Sequence, residues 1–233
     1  MPEKLDMLIF GAHPDDAEIG MGGTVIKHAE AGWKVGICDL TLAEMSSNGD
    51  VETRQKEAAK AAEILGLTVR TNLRLPDRGL GLFREQIELI TLEIRKFKPK
   101  VVFAPYWEDR HPDHVMCSKM VTEAVFNAKL RKMLPDTEAW QVQQFYYYYI
   151  NDAGRPDLLV DVSGQYERKM NALRAYASQF NEVQKGEDRV ATPLTDGYVE
   201  RVAARDRLFG QMRAAQYAEG FAVKVPYMVD LFR

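Results

Sequence analysis

Short hydrophobic runs alternate with longer stretches whose apolar residues recur at helical spacing, from the start of the chain to beyond its middle. Leu5 to Ala12 is an almost unbroken apolar run, the form of a strand covered on both faces in a parallel sheet. Lys34 to Thr41, Val69 to Leu75 and Val101 to Pro105 are its expected partners. Between them, residues 17–31, 51–65, 83–97 and 115–130 read as helices, with Gly32, Gly66 and Pro99 as stop signals. Gln143 to Ile150 and Leu158 to Ser163 predict two further strands joined by a turn over Asn151 to Asp157. Tyr166 to Phe180 reads as a helix, Asn181 to Gly197 as a lid-like polar loop, and Tyr198 to Ala218 as a final helix. The alternation predicts an α/β fold with a mostly parallel sheet flanked by helices, in one domain over residues 1–233.

In such a sheet, ligands bind beyond the carboxyl ends of the strands, so residues just after strands are candidates for function. Gly11-Ala12-His13-Pro14-Asp15-Asp16-Ala17-Glu18 follows the first strand. Pro14 restricts the turn, so His13 and Asp16 can converge on one point while Asp15 is aimed elsewhere. Arg110-His111-Pro112-Asp113-His114 follows the fourth strand. Parallel pairing of the two strands would bring three histidines and three aspartates to one cleft. Two histidines with one carboxylate leave a coordination position open, which suits a catalytic zinc or an Fe(II) site. A single His-Pro-Asp turn reads as readily as a capped strand-to-helix connection. Two of them, each after a strand, favour a site.

Composition narrows the alternatives. The chain has 233 residues, 46% hydrophobic and 28% charged, and its 31 basic and 34 acidic residues leave a net charge of −3. That balance provides no basic field for a nucleic acid. The chain shows neither a signal peptide nor an apolar stretch of membrane-spanning length. Its two cysteines, Cys38 and Cys117, suit a reducing cytoplasm and exclude a thiolate framework. Of only four histidines, three fall in the two motifs, and His28 reads as a solvated helix residue.

Other features divide between chemistry and packing. Gly20, Gly22 and Gly23 lack the dinucleotide-binding spacing and read as allowing close helix packing. Tyr146 to Tyr149 read as aromatic faces of a strand, core on one side and covered surface or subunit interface on the other. Glu44 follows the second strand and Asp77 the third, and both could accept hydrogen bonds from a substrate. Arg54 could bind an anion bidentately or pair with Glu57 on its own helix.

The two histidine motifs together resemble the signature of the PIG-L-type N-acetylglucosaminyl de-N-acetylase family, zinc enzymes on a Rossmann-like sheet. Leu42 to Gly49 with Arg54 to Ala58, Pro76-Asp77-Arg78-Gly79, Tyr176 to Phe180 and Ala204 to Arg207 with Gly210 resemble its bacillithiol-biosynthesis branch. The resemblance implies that His13, Asp16 and His114 bind Zn(2+), with Fe(2+) as the alternative, and that Asp15 is the general base. It implies His111 as general acid or oxyanion stabiliser, Asp113 as its orienter with a raised histidine pKa, and Tyr198 as a second group on the oxyanion. The implied substrate is a small amino-sugar conjugate, N-acetylglucosaminyl L-malate, with Arg54 on its anionic end and Glu44 and Asp77 on sugar hydroxyls. A cytoplasmic homo-oligomer, trimer or hexamer, is the expected state. The rival readings are deacetylation of another N-acetyl amino sugar such as a chitooligosaccharide, a different mononuclear metal enzyme, and a non-catalytic sugar-binding module.

Overall fold

The computed structural model describes residues 3–184 and 187–226; residues 185 and 186 of the polar loop lie outside the described residues. The first half alternates as the pattern predicts: β1 (Met7–Gly11), α1 (Asp16–Glu30), β2 (Val35–Thr41), α2 (Val51–Leu65), β3 (Val69–Leu75), α3 (Arg84–Phe97), β4 (Val101–Pro105) and α4 (Pro112–Ala128). β5 (Gln144–Tyr148), β6 (Leu158–Asp161), α5 (Tyr166–Arg174), α6 (Ala177–Phe180), α7 (Tyr198–Gln211) and β7 (Ala218–Ala222) follow. The strands form one seven-stranded sheet in the order β3-β2-β1-β4-β5-β7-β6. The first five in that order run parallel, and β7 is antiparallel to both neighbours.

Strand period decides how the core divides. Met7 and Ile9 face one side of the sheet and join residues of α1, α2 and α5, whereas Leu8 and Phe10 face the other and join residues of α3 and α4. Local signals fix the helix ends. The Asp50 side chain accepts from the Thr53 amide at 2.7 Å to start α2, and Gly66 ends it at φ 76°.

The second half departs from expectation in three places. The strands at 143–150 and 158–163 are not neighbours, because β7 lies between them. The expected helix over 198–218 stops at Gln211, and the chain turns through Ala214, at φ 56°, into that strand. The expected helix over 166–180 is broken at Tyr176, where ψ is 58°. Of the tyrosine run, Tyr147, Tyr148 and Tyr149 are buried under this chain's own elements, and Tyr146 is half-buried. Tyr147 meets Thr122 Oγ1 at 2.9 Å, Tyr148 donates to the Phe10 carbonyl and Tyr149 to the Arg155 carbonyl. Among the described residues no helix is long and apolar enough to cross a membrane.

α1 carries the first motif and is seated unusually. A Cβ at Gly20 would come within 2.2 Å of the Tyr148 ring, so the glycine lets the helix lie directly on β5. The helix kinks at Met21, where φ is −150°. Glu219 of β7 accepts from the freed amides of Gly23 and Thr24 at 2.9 and 2.6 Å. Its charge is balanced by Lys169, whose Nζ lies 2.7 Å from Glu219 and 2.5 Å from Asp206, all three enclosed. Glu219→Ala strands the ammonium beside fewer partners and leaves two helix amides without acceptors. It should lower the unfolding free energy in urea titrations by about 3–5 kcal/mol, the cost of breaking a buried ion pair from one side.

Candidate metal centre and active site

β1 pairs with β2 on one side and with β4 on the other, so the chain leaves the centre of the sheet in both directions. The crevice at that reversal is where open α/β sheets bind ligands. The loops after β1 and β4 meet there, and those after β2, β3 and β5 close around them in a cavity of about 430 Å³. His13, Asp15, Asp16, Asp77, His111 and His114 all line it.

Asp16 stands between two imidazoles. One of its oxygens lies 3.1 Å from His114 Nε2, and the other is 3.7 Å from His13 Nδ1 and accepts from the His13 amide at 2.9 Å. Each imidazole has a second carboxylate at its far nitrogen. Asp109 is 3.1 Å from His114 Nδ1, and Asp77 and Asp113 are 3.1 and 3.6 Å from His13 Nε2. Donor atoms of His13, His111 and His114 also lie within 4.8 Å of one another, as do those of His13, Asp77 and Asp113. His13, Asp16 and His114 form a further candidate set beside those two, in which Asp109 backs His114 and Asp77 and Asp113 back His13, the usual support for a metal-bound histidine.

The electrostatics fit a cation. Burial opposes a charge on His13, but Asp113, Asp77 and Asp16 outweigh it and raise its pKa to about 10. His114 is likewise buried, and Asp16 and Asp109 raise it to about 9. Two protons thus occupy a nest of carboxylates that a divalent ion would neutralise, with N and O donors suited to zinc or iron.

Asp15 sits at φ 122° and ψ −24°, a backbone conformation that a residue with a side chain rarely adopts, at the junction of β1 and α1. Strain of this kind collects at functional sites. Its carboxylate is buried 2.6 Å from Arg54 Nη1. Burial raises its pKa, Arg54 opposes the rise and Asp16 reinforces it.

Several expected roles change. Arg54 pairs neither with Glu57 nor with solvent: its guanidinium is enclosed and also donates to the Pro14 carbonyl and Ser46 Oγ. Glu57 instead accepts from the Ser178 amide and hydroxyl. Asp77 lines the cavity but is bound to His13 and to the Met45 amide, and Glu44 is an exposed residue behind it that accepts the Asp77 amide. Asp113 does not face His111 with its carboxylate, which meets the guanidinium and amide of Arg78. His111 caps α4, its Nδ1 accepting the Asp113 amide at 3.2 Å. Its pKa falls to about 4, rather than rising, through burial and the charged His114 and His13. Tyr198 does reach the cavity, where its hydroxyl donates to Asn151 Oδ1 at 2.9 Å. Asp109 and Asn151 were not singled out by the sequence pattern. Both lie just beyond strands, at the positions that marked the other residues.

A strand-end crevice lined by imidazoles and carboxylates with the spacing of a candidate metal centre defines the class, an enzyme site on an α/β sheet. The model of the PIG-L family, GlcNAc-PI de-N-acetylase, matches residues 8–125. The chain belongs to that family, a family of amidohydrolases that act on N-acetyl groups and depend on a metal. It is 31% identical to the diacetylchitobiose deacetylase of Thermococcus kodakarensis over 92% of this chain and 81% of that protein. The probable N-acetyl-alpha-D-glucosaminyl L-malate deacetylase 2 of Bacillus subtilis is 27% identical over 76% of this chain and 84% of its own length. The crystal structure of the conserved protein TT1542 from Thermus thermophilus superposes with a TM-score of 0.88 at 38% identity, covering 98% of this chain and 99% of that one.

With His13 and His114 as ligands, metal uptake at pH 7.5 would have to displace their protons, since their pKa values stand at about 10 and about 9. Calorimetry in buffers of differing ionisation enthalpy should show about two protons released per ion, and tighter binding as pH rises. The metal-free protein has the opposite trend in stability. Both histidines are raised above their unfolded value of about 6.5, so their contribution is full below that pH and is lost as pH climbs through about 9 and about 10.

Proposed function

We propose that the protein hydrolyses the acetamide of an N-acetylglucosaminyl conjugate, with zinc held by His13, Asp16 and His114. The observation that carries this reading is Asp15, a buried and strained carboxylate of raised proton affinity beside Asp16 in a cavity of small-molecule size. An amide resists water because the nucleophile is weak, the oxyanion costly and the amine a poor leaving group.

His13, Asp16 and His114 would hold a divalent ion, whose Lewis acidity would serve both the attacking water and the acetamide carbonyl. Asp15, steered by Arg54, takes the proton of the attacking water as the new C–O bond forms. His111 accepts the Asp113 amide at Nδ1, so the neutral ring carries its proton on Nε2 and donates it in a hydrogen bond to the developing oxyanion. Burial raises the Tyr198 pKa and keeps the phenol protonated, so its one proton, given to Asn151 Oδ1 in the free protein, becomes a second donor to the oxyanion once that bond is released. Asp15 then returns its proton to the departing amine, the C–N bond breaks, and acetate and the free amino sugar leave.

The aglycone reading rests on charge. Arg54 is occupied by Asp15, so the group that meets the substrate's anionic end is Arg110. It is exposed, has no ion-pair partner among the described residues, and stands between the main cavity and a second one of about 310 Å³. This favours N-acetylglucosaminyl L-malate, as in bacillithiol biosynthesis. The second reading, diacetylchitobiose, is favoured by the Thermococcus relative, and a second sugar would then take the adjoining cavity. Cys38 and Cys117, both buried and free, suit the cytoplasm. A trimer or hexamer belongs to the same reading through the family resemblance, and light scattering after gel filtration tests it.

Asp15→Asn should lower the acetate-release rate at least ~10³-fold with metal content unchanged. A variant that keeps its rate removes Asp15 as base. Arg110→Ala should raise KM for the malate conjugate roughly tenfold, the loss of a charge-assisted contact, and leave diacetylchitobiose turnover unchanged. Faster wild-type turnover of diacetylchitobiose than of the malate conjugate would decide for the second reading.

A further inference from the structure

Asn151 follows closely on β5 and lines the cavity, and its side chain joins two groups. Nδ2 donates at 2.8 Å to Asp109 Oδ1, the oxygen that also faces His114 Nδ1 at 3.1 Å. Oδ1 accepts the Tyr198 hydroxyl at 2.9 Å. The Asn151 amide adds a bond of 3.2 Å to Asp109 Oδ2. The residue is also fixed from behind, because Arg205 donates to the carbonyls of Tyr149 and Ile150 and is itself tied to the buried Asp206.

The chemistry of the position is specific to an amide. It offers a donor toward a carboxylate and an acceptor toward a phenol from one planar group. An aspartate would set a second carboxylate against Asp109, and an aliphatic side chain would leave the Tyr198 hydroxyl without its acceptor and remove one of the donors that fix Asp109. Asp109 in turn is shared between His114 and the amide of His111, at 2.8 Å, so its orientation bears on both histidines of the second motif.

We propose that Asn151 is a positioning residue that couples His114 to Tyr198. Through Asp109 it aims the imidazole at the metal centre, and through its carbonyl it holds the phenol's one proton at the cavity wall until a bound acetamide takes that hydrogen bond over. The inference rests on the reading of His114 as a ligand and of Tyr198 as an oxyanion donor. A residue that merely closed a loop would affect stability but leave both the zinc affinity and the surroundings of Tyr198 unchanged in the folded protein.

The test uses the full chain as Asn151→Ala, Tyr198→Phe and the double variant, with Asn151→Ser in place of Asn151→Ala should the latter not fold. In competition with a chromophoric chelator, the Asn151 variant should bind zinc roughly 10- to 100-fold more weakly, the effect of losing an outer-shell partner. Tyr198→Phe should bind zinc like the wild type. In the metal-free protein, the ¹³C-tyrosine NMR signal of Tyr198, assigned by its loss in Tyr198→Phe, should shift in the Asn151 variant. At saturating zinc, acetate release by the double variant should fall no further than in the worse single variant. Unchanged zinc affinity, an unmoved Tyr198 signal, or a double variant whose loss is the product of the single losses each overturns the coupling. Failure of the proposed function shows itself differently, as a wild type that releases no acetate; the zinc and NMR measurements then decide the role of Asn151 alone.

Discussion

Three carboxylates within one turn of chain, all removed from water, set the terms for everything around them. Asp15, Asp16 and Glu18 are 5%, 2% and 0% exposed, and an unpaired buried carboxylate is too costly to persist ionised. Each has its own cationic partner. Asp15 has Arg54, Asp16 has His13 and His114, and Glu18 has Arg70, which also grips Asp39 bidentately, together with the Tyr176 hydroxyl. These partners come from β1, α2, β3 and α4, or the loops beside them, so neutralising the motif also draws the surrounding elements together. The start of α1 assists, because its amide ends favour negative charge.

This division of labour explains why adjacent residues of the same chemical type differ in behaviour. The histidines around Asp16 favour its ionised form, which suits the ligand role proposed for it, whereas burial beside a single guanidinium raises the proton affinity of Asp15, which suits the proposed base. The wall opposite is built from polar loops. Asn48 donates to and accepts from the main chain of Val190, and so holds the segment bearing Thr192, Pro193 and Leu194 over the cavity.

The sheet's first five strands and both histidine motifs were legible because they are local. An apolar run, a helical period and a His-Pro-Asp turn each occupy one short stretch. What escaped the pattern depends on stretches meeting. β7 reads Ala218-Glu219-Gly220-Phe221-Ala222, with a charge inside it, and is a buried strand only because Lys169 meets that charge. Arg54 is a plain helical arginine until the β1 loop places Asp15 against it. Asp113 is separated from His111 by one residue, yet Arg78, from the loop after β3, decides where its carboxylate turns. The rule that function follows strand ends covered Asp109 and Asn151 as well, but a lone aspartate and a lone asparagine carry no motif to draw the eye.

The kinked first helix also bears on the order of assembly. Its two freed amides are capped by a residue almost 200 positions away, near the other end of the chain, at separations of 196 and 195. During synthesis the helix that begins the chemical site therefore emerges long before the carboxylate that completes it. Until Glu219 arrives, β5 also lacks its antiparallel neighbour, and two halves of the molecule must wait on the same late segment. Such distant pairings are slow to form, because the intervening chain has to be closed as one long loop. A chain cut short before β7 would have every residue of both histidine motifs, but not the Glu219 carboxylate that seats the helix bearing the first.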